Sequence, residues 1–245
     1  MPTNFNIVMP LAGRQSRFFD AGFSTPKPFI DIHGVPIFKH SINSVGIEGN
    51  VFYIVQSEHM RNPLIRYKME QYGCGGKIIE TNGITAGQLS SIMLAAEFIN
   101  NDDPLIICNC DHRIVYDSNL ISHKLFDERY DGGLVSFYSP GSEPKYSYIK
   151  MDKYGICEIA EKKKISDFAA SGIYAFLRGS DFVHYAKQVF DKNITVNGEF
   201  YLSSVYSEMI EDGAFLFNVL CRDIRNLGTP EEFRSYYDTF GSFDR

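Results

Sequence analysis

Arg14 and Arg17 lie in a loop of small residues, Pro10-Leu11-Ala12-Gly13-Arg14-Gln15-Ser16-Arg17-Phe18, directly after the apolar run Ile7-Val8-Met9. Lys27 follows between Pro26 and Pro28, whose rings fix the backbone around it. A strand opening into such a loop brings backbone N–H groups and guanidinium groups close to a polyphosphate. The N-terminal stretch through Lys39 holds Arg14, Arg17, Lys27 and Lys39 against only Asp20 and Asp31, in a chain whose net charge is −6. Cations gathered against the overall charge mark a local anion site. Further along, Asp111 stands just past an apolar run, and Lys162 opens the basic run Lys162-Lys163-Lys164. Taken alone, an aspartate there also reads as a turn or N-cap residue, and a lysine run as a solvated face.

An alternation of strands and helices must position these groups. Asn6–Met9, Val51–Gln56, Lys77–Glu80 and Leu105–Cys110 read as strands, the last nearly continuous in apolar residues and so buried on both faces. Pro36–Val45, Met60–Tyr72 and Ala86–Ile99 read as helices; in the last, Leu89, Met93, Ala96 and Ile99 keep helical spacing. After Gly132 short strands dominate: Leu134–Tyr138, Tyr148–Met151, Cys157–Ala160, Gly172–Leu177 and Phe215–Leu220. Helices are expected over Asp181–Phe190, Leu202–Glu211 and Pro230–Thr239. The pattern predicts an α/β fold with a doubly wound, mostly parallel, Rossmann-like sheet and a smaller β region, with ligands at the carboxyl ends of the strands. No linker, repeat or low-complexity segment divides the chain, so one domain over 1–245 is expected.

Bulk composition narrows the function classes. With 44% hydrophobic and 22% charged residues, 245 residues bury a sizeable core. The acidic balance argues against nucleic-acid binding. No apolar run approaches the roughly 20 residues that span a membrane. Met1-Pro2-Thr3-Asn4 opens without a basic segment or a long apolar core, so a secretory signal is not expected. The five cysteines, Cys74, Cys108, Cys110, Cys157 and Cys221, are scattered. Cys108 and Cys110 would share one strand face as buried thiols, since no second pair follows at zinc spacing. A reducing cytoplasm fits.

The segment Ala12-Gly13-Arg14-Gln15-Ser16-Arg17-Phe18, then Pro26-Lys27-Pro28, resembles the signature of the nucleotidyltransferases that make nucleotide sugars. Asn109-Cys110-Asp111-His112, Glu161-Lys162, Gly172-Ile173-Tyr174, Asn197-Gly198-Glu199-Phe200-Tyr201-Leu202 and Leu227-Gly228-Thr229-Pro230-Glu231-Glu232 follow in the family's order. The resemblance runs from about Ile7 to Phe233 and implies a GT-A-like fold, with a nucleotide-binding half to about residue 131 and an acceptor-binding half beyond it. It implies transfer of a nucleoside monophosphate to a phosphorylated acceptor, with Mg²⁺ as cofactor and pyrophosphate released. Such chemistry needs no enzyme nucleophile; it needs two polyanions held together.

On this resemblance Arg17 holds the triphosphate and Lys27 bridges the α-phosphate and the acceptor phosphate. Leu11, Ala12, Gly13 and Arg14 line the nucleotide, and Asn82-Gly83-Ile84-Thr85-Ala86-Gly87-Gln88 recognises the base, with Gly87 giving close backbone approach and Thr85 or Gln88 reading its edge. Asp111 binds both nucleotide and Mg²⁺, and His112 orients its neighbours. Lys162, Gly172, Tyr174 and Glu199 serve the acceptor, although a glutamate at Glu199 also suits a helix N-terminus. The second metal ligand is Asn226, with Asp223 as the alternative.

Two positions depart from the family pattern. Gln15 replaces a glycine that tolerates positive φ, and Asn226 replaces a commoner aspartate. They keep open a non-catalytic nucleotide-binding regulatory homologue; a GT-A glycosyltransferase is the other alternative. The resemblance is to small stand-alone cytidylyltransferases of capsule clusters. It favours CTP, with UTP or dTTP behind it, and a sugar-1-phosphate or a phosphorylated small molecule such as phosphoglutamine as acceptor. Capsule, lipopolysaccharide or cell-wall precursor synthesis is the expected setting, with a homodimer as an open assembly. No β-helix extension follows, so allosteric control through one is not expected.

Overall fold

The computed structural model describes residues 4–243. Met1–Thr3, whose sequence predicts no signal segment, lie outside them. In chain order the first half runs β1 (Phe5–Pro10), α1 (Ser16–Asp20), a 3₁₀ turn (Lys27–Phe29), β2 (Asp31–Ile32), β3 (Val35–Pro36), α2 (Ile37–Asn43), β4 (Gly49–Gln56), α3 (Ser57–Arg61), α4 (Pro63–Tyr72) and β5 (Lys77–Thr81). It continues through α5 (Gln88–Ile92), a 3₁₀ turn (Met93–Ala95), α6 (Ala96–Ile99), β6 (Leu105–Cys108), β7 (His112–Val115) and α7 (Asn119–Phe126). The second half runs β8 (Gly132–Tyr138), β9 (Ser147–Asp152), β10 (Gly155–Glu161), β11 (Phe168–Phe176), α8 (Gly179–Asp191), α9 (Leu202–Glu211), β12 (Leu216–Leu220), β13 (Asp223–Asn226) and α10 (Pro230–Phe243). Among the described residues no helix is long and apolar enough to cross a membrane.

Nine strands form one sheet. Its nucleus is the parallel run β5-β4-β1-β6, in register at Val8↔Phe52 and Val8↔Ile107. β11 joins β6 antiparallel at Ile173↔Cys108 and carries β8 and β9, so the strands of the second half continue the same sheet. Side-chain alternation divides the core between the two faces. Ile7, Met9, Ile106 and Cys108 pack on one face, and Val8, Leu105 and Ile107 on the other. Both faces are covered by helices, which is why β6 reads as an unbroken apolar run. The parallel strands end together at Pro10, Gln56, Thr81 and Cys108. The loops that follow therefore open on one edge.

Local chemistry explains where the elements differ from the sequence pattern. β6 ends at Cys108, and Asn109 N–H turns to the Gly172 carbonyl at 2.8 Å. Cys110 is therefore off the strand, yet it still packs beside the face that holds Cys108. The expected helix over Met60–Tyr72 is two helices, because Asn62 takes extended ψ before Pro63 and its side chain caps Leu64 N–H at 3.0 Å. The expected helix from Pro36 begins at Ile37, since Pro36 pairs with Asp31 in a small hairpin. The Ala86–Ile99 helix tightens into a 3₁₀ turn at Met93. At the start of α10, Thr229 and Glu232 form a reciprocal capping box: Glu232 Oε2 accepts from Thr229 N–H, and Thr229 Oγ1 accepts from Glu232 N–H.

Gly87 joins the two halves. Its φ is 128°, and a Cβ there would stand 2.5 Å from the Phe200 carbonyl oxygen and 2.6 Å from Phe200 N. Leu89 N–H donates to Phe200 O and Phe200 N–H to Ala86 O, at 3.1 and 3.0 Å. Neither backbone can yield without breaking these bonds. Gly87→Ala is expected to cost about 2–3 kcal/mol and to lower Tm by about 5–10 °C. A thermal melt within a degree of the parent would show that the loop yields freely.

Candidate active site

Two clefts meet at the carboxyl edge of the parallel strands. The first, about 360 Å³, is lined by Gly13, Arg14, Gln15, Thr85 and Gln88. The second, about 700 Å³, is lined by Arg17, Glu161, Lys162, Tyr174 and Asn226. Lys27, Gln88, Asn109, Asp111 and Tyr201 form the wall that both share.

The centre of that wall is an ion pair. Lys27, on its proline-flanked 3₁₀ turn, reaches Asp111 Oδ2 at 2.7 Å across 84 residues of sequence. Their side chains are 16% and 19% exposed. His112 Nδ1 lies 3.0 Å from the other carboxylate oxygen, too poorly aligned for a hydrogen bond. Burial alone would raise the Asp111 pKa, but the Lys27 ammonium and His112 hold it well below the usual carboxylate value. Burial likewise acts to lower Lys27, and Asp111 overrides it, so Lys27 stays charged above its ordinary value. The Arg17 charge opposes Lys27's, which places a second cation in reach of the same wall.

The signature loop is built around Gln15. It takes the left-handed conformation, φ 58° and ψ 17°, immediately before α1. That is the conformation a glycine reaches without strain. The Gln15 side chain then crosses the loop: its Oε1 accepts from Lys27 N–H at 2.6 Å. Arg14 and Arg17 are exposed on the two clefts. Ala12 and Gly13 line the first cleft, and their carbonyls accept from Gln56 Nε2 at 3.0 and 3.4 Å. Leu11 lies fully in the core beneath them.

On the facing loop, Thr85 Oγ1 donates to Gly87 O at 3.0 Å and contacts Ser91 Oγ at 2.6 Å, closing the turn into α5. Gln88 Nε2 donates to Asn109 Oδ1 at 2.5 Å, tying α5 to the end of β6. The close approach at Gly87 is made by Phe200 backbone. Both polar side chains expected to read a base thus hold protein partners in this structure.

Gly172, expected to serve the acceptor, lines neither cleft: with φ 98° it forms a bulge in β11 behind Asn109, where a Cβ would strike the Asn109 side chain at 2.7 Å. Tyr174 is buried and stacked on Tyr206. Lys162 is exposed, with φ 50°, and its ammonium donates to the Tyr201 hydroxyl. That hydroxyl donates in turn to Glu199 Oε2 at 2.7 Å. Glu199 stands three residues before α9, in a short bridged turn with Val196, so it does not occupy the helix N-terminus. Ser147 and Ser203 both donate to Glu161 Oε2. Tyr201, Tyr146 and the Gln15 clasp were not legible in the sequence; the only hint was Tyr201 falling inside a matched segment.

Asn226 is brought opposite His112 by the two-stranded pairing of β13 with β7. Its Nδ2 donates to Tyr146 Oη at 3.0 Å, while its buried Oδ1 has no hydrogen-bond partner among the described residues. Asp223 begins β13 and accepts from Arg225 Nε at 3.2 Å, away from the cleft lining. Among the described residues no cluster of three or more His, Cys, Asp or Glu could hold a metal by itself. One carboxylate and one idle amide oxygen on a shared cleft are a donor set that suits Mg²⁺, which takes most of its ligands from water and phosphate. They do not suit zinc.

A scan against protein-family models matches Nucleotidyl transferase over residues 7–238. Among solved structures, the chain is similar to the nucleoside-diphosphate-sugar pyrophosphorylase of Vibrio cholerae RC9, with 26% identity, TM-score 0.79, and 95% and 99% of the two chains covered. It also shares the fold of the inositol-1-phosphate CTP transferase of T. maritima, with 12% identity, TM-score 0.76, and 98% and 96% covered. No curated protein sequence matches the chain.

Proposed function

Because this chain belongs to the nucleotidyl transferase family and is an enzyme of that kind, we propose that it transfers a nucleoside monophosphate from a triphosphate to a phosphorylated small molecule. An acceptor phosphate oxygen attacks the α-phosphorus, one P–O bond forms as the α–β bridge breaks, and pyrophosphate leaves. The observation that carries this reading is the Lys27–Asp111 pair in the wall common to two clefts. A cation at that seam can touch one anion from each side, which is the positional requirement of the reaction.

In this reading the triphosphate lies in the first cleft. Its backbone donors come from Ala12 and Gly13, Arg14 meets its charge there, and Arg17 meets it from the second cleft across the shared wall. Lys27 neutralises the α-phosphate and the incoming phosphate together. Lys162, steadied by the Tyr201 hydroxyl, binds the acceptor phosphate, Glu161 and Tyr174 bound the rest of the acceptor, and Glu199, on the first cleft's lining, reaches it through the Tyr201 hydroxyl. Asp111 and Asn226 are the residues that would hold Mg²⁺, leaving Asp223 to its surface pairing. When bound, the ion supplies positive charge to the phosphate oxygens.

CTP is the leading nucleotide, ahead of UTP and dTTP. A CTP transferase for inositol-1-phosphate and a nucleoside-diphosphate-sugar enzyme share this fold, which supports a sugar-phosphate-like acceptor. The product would be an activated precursor of the kind used for capsule, lipopolysaccharide or cell-wall polymers, made in the cytoplasm. The test is pyrophosphate release from ATP, CTP, GTP and UTP, with dTTP added, against a panel of sugar-1-phosphates, phosphocholine and phosphoglutamine. Acceptor-dependent release with a pyrimidine triphosphate is expected. Nucleotide binding without turnover in any pair would indicate a regulatory homologue. Glycoside formed from a nucleotide sugar would indicate a glycosyltransferase.

A further inference from the structure

We propose that Gln15 is a positioning residue that fixes the two cationic segments of the site, α1 with Arg17 and the Lys27 turn, against each other. Both of its carbonyl oxygens are used for this. The main-chain oxygen accepts from Phe18 N–H at 3.1 Å and so opens α1. The side-chain oxygen accepts from Lys27 N–H at 2.6 Å across twelve residues of chain. Lys27 in turn reaches Asp111. A single residue thus sets the origin of the arginine-bearing helix and the backbone from which the lysine extends.

The residue is costly where it stands. Its φ of 58° disfavours any side chain except glycine, asparagine or aspartate. Its Nε2 is buried without a hydrogen-bond partner among the described residues, so half of the amide loses its water and gains nothing. A residue retained only for packing would gain from becoming glycine. The one return visible for both costs is the bond to Lys27.

This inference rests on Lys27 acting at the phosphates, and its test separates the two. The variants are Gln15→Gly, which keeps the backbone conformation and the α1 contact, and Gln15→Glu, which restores an acceptor oxygen at the same reach. Amide hydrogen exchange on the full chain reads the Lys27 N–H directly. In Gln15→Gly its exchange is expected to accelerate about tenfold, the loss of one hydrogen bond, and Gln15→Glu is expected to restore most of the protection. Tm of the glycine variant is expected to stay level or rise, because the backbone strain is relieved. In steady state, kcat falls about tenfold with triphosphate KM within about threefold, as for a displaced group acting in the transition state. Unchanged exchange at Lys27 in Gln15→Gly, or an unchanged kcat alongside faster exchange, overturns the proposal. If the parent turns over no pair at all, the functional reading fails, and the exchange result still decides whether Gln15 holds Lys27.

Discussion

Lys27→Met is expected to lower kcat by about 10³-fold while leaving triphosphate affinity within about fivefold. Methionine keeps the unbranched reach and removes only the charge. Arg14 and Arg17 remain to hold the nucleotide, so binding survives. What is lost is the cation in the wall between the clefts, where negative charge concentrates as the acceptor phosphate approaches. The substitution also leaves Asp111 buried with only His112 beside it. Breaking a buried pair from one side costs about 3–5 kcal/mol, so instability could imitate a catalytic loss. A urea melt of the same variant separates them: rates are read where Lys27→Met is fully folded, and kcat is still expected to be low. Parent-like kcat in a folded Lys27→Met protein would remove the lysine from the reaction.

The same pair sets a pH signature. Asp111 is held below 3.8 in the folded chain, so its contribution is complete above that value and fades as pH falls through the lower folded-state value. Lys27 is held above 10.5, so its contribution is complete below that value and fades as pH rises through the higher folded-state value. The stability gap between the parent and Lys27→Met is therefore expected to be flat from about pH 5 to pH 9 and to narrow outside it. Urea melts across that range measure it. A gap that changes within that window would show that the Lys27–Asp111 pair does not set it.

Residues whose environment is local were readable from sequence. Leu105–Cys108 is an apolar run because both sheet faces are covered, and Asp111 stands beyond its end because that is where the loops open. The β2–β3 hairpin was not readable: each strand is two residues long, and the turn rests on positive φ at His33 and Gly34. The β7–β13 pairing was not readable either, since it joins His112 to Asn226 from far apart in the chain. With the bond from Leu227 N–H to the Asp111 carbonyl, at 2.8 Å, it puts the Asn226 amide at the site. The glycine-to-glutamine change looked like an impairment in sequence. In the structure the same left-handed conformation is kept, and the added amide reaches Lys27. No local pattern could reveal Tyr201 between Glu199 and Lys162, because Lys162 arrives from 39 residues away with a left-handed backbone of its own.

Asp111→Asn is expected to lower kcat by about 10²–10³-fold and to raise the Mg²⁺ concentration for half-maximal rate by about tenfold or more. The exchange is isosteric. It keeps an oxygen for the Lys27 ammonium at the distance now spanned, so the wall stays built. It removes the carboxylate assigned to the divalent ion, so that the two assigned ligands become two amides, the introduced one and that of Asn226. It also removes the charge that keeps Lys27 protonated against burial, so the lysine pKa falls back toward or below its ordinary value. The two losses are separable. A lysine effect adds an alkaline limb to the rate profile at saturating Mg²⁺, and a metal effect shifts the Mg²⁺ dependence at fixed pH. Initial rates over a Mg²⁺ titration, started from chelator-treated protein, resolve both. An unchanged Mg²⁺ midpoint with a new alkaline limb would leave Asp111 as the anchor of Lys27 alone and send the metal assignment elsewhere in the second cleft. An unchanged midpoint with an unchanged kcat would remove Asp111 from the reaction altogether.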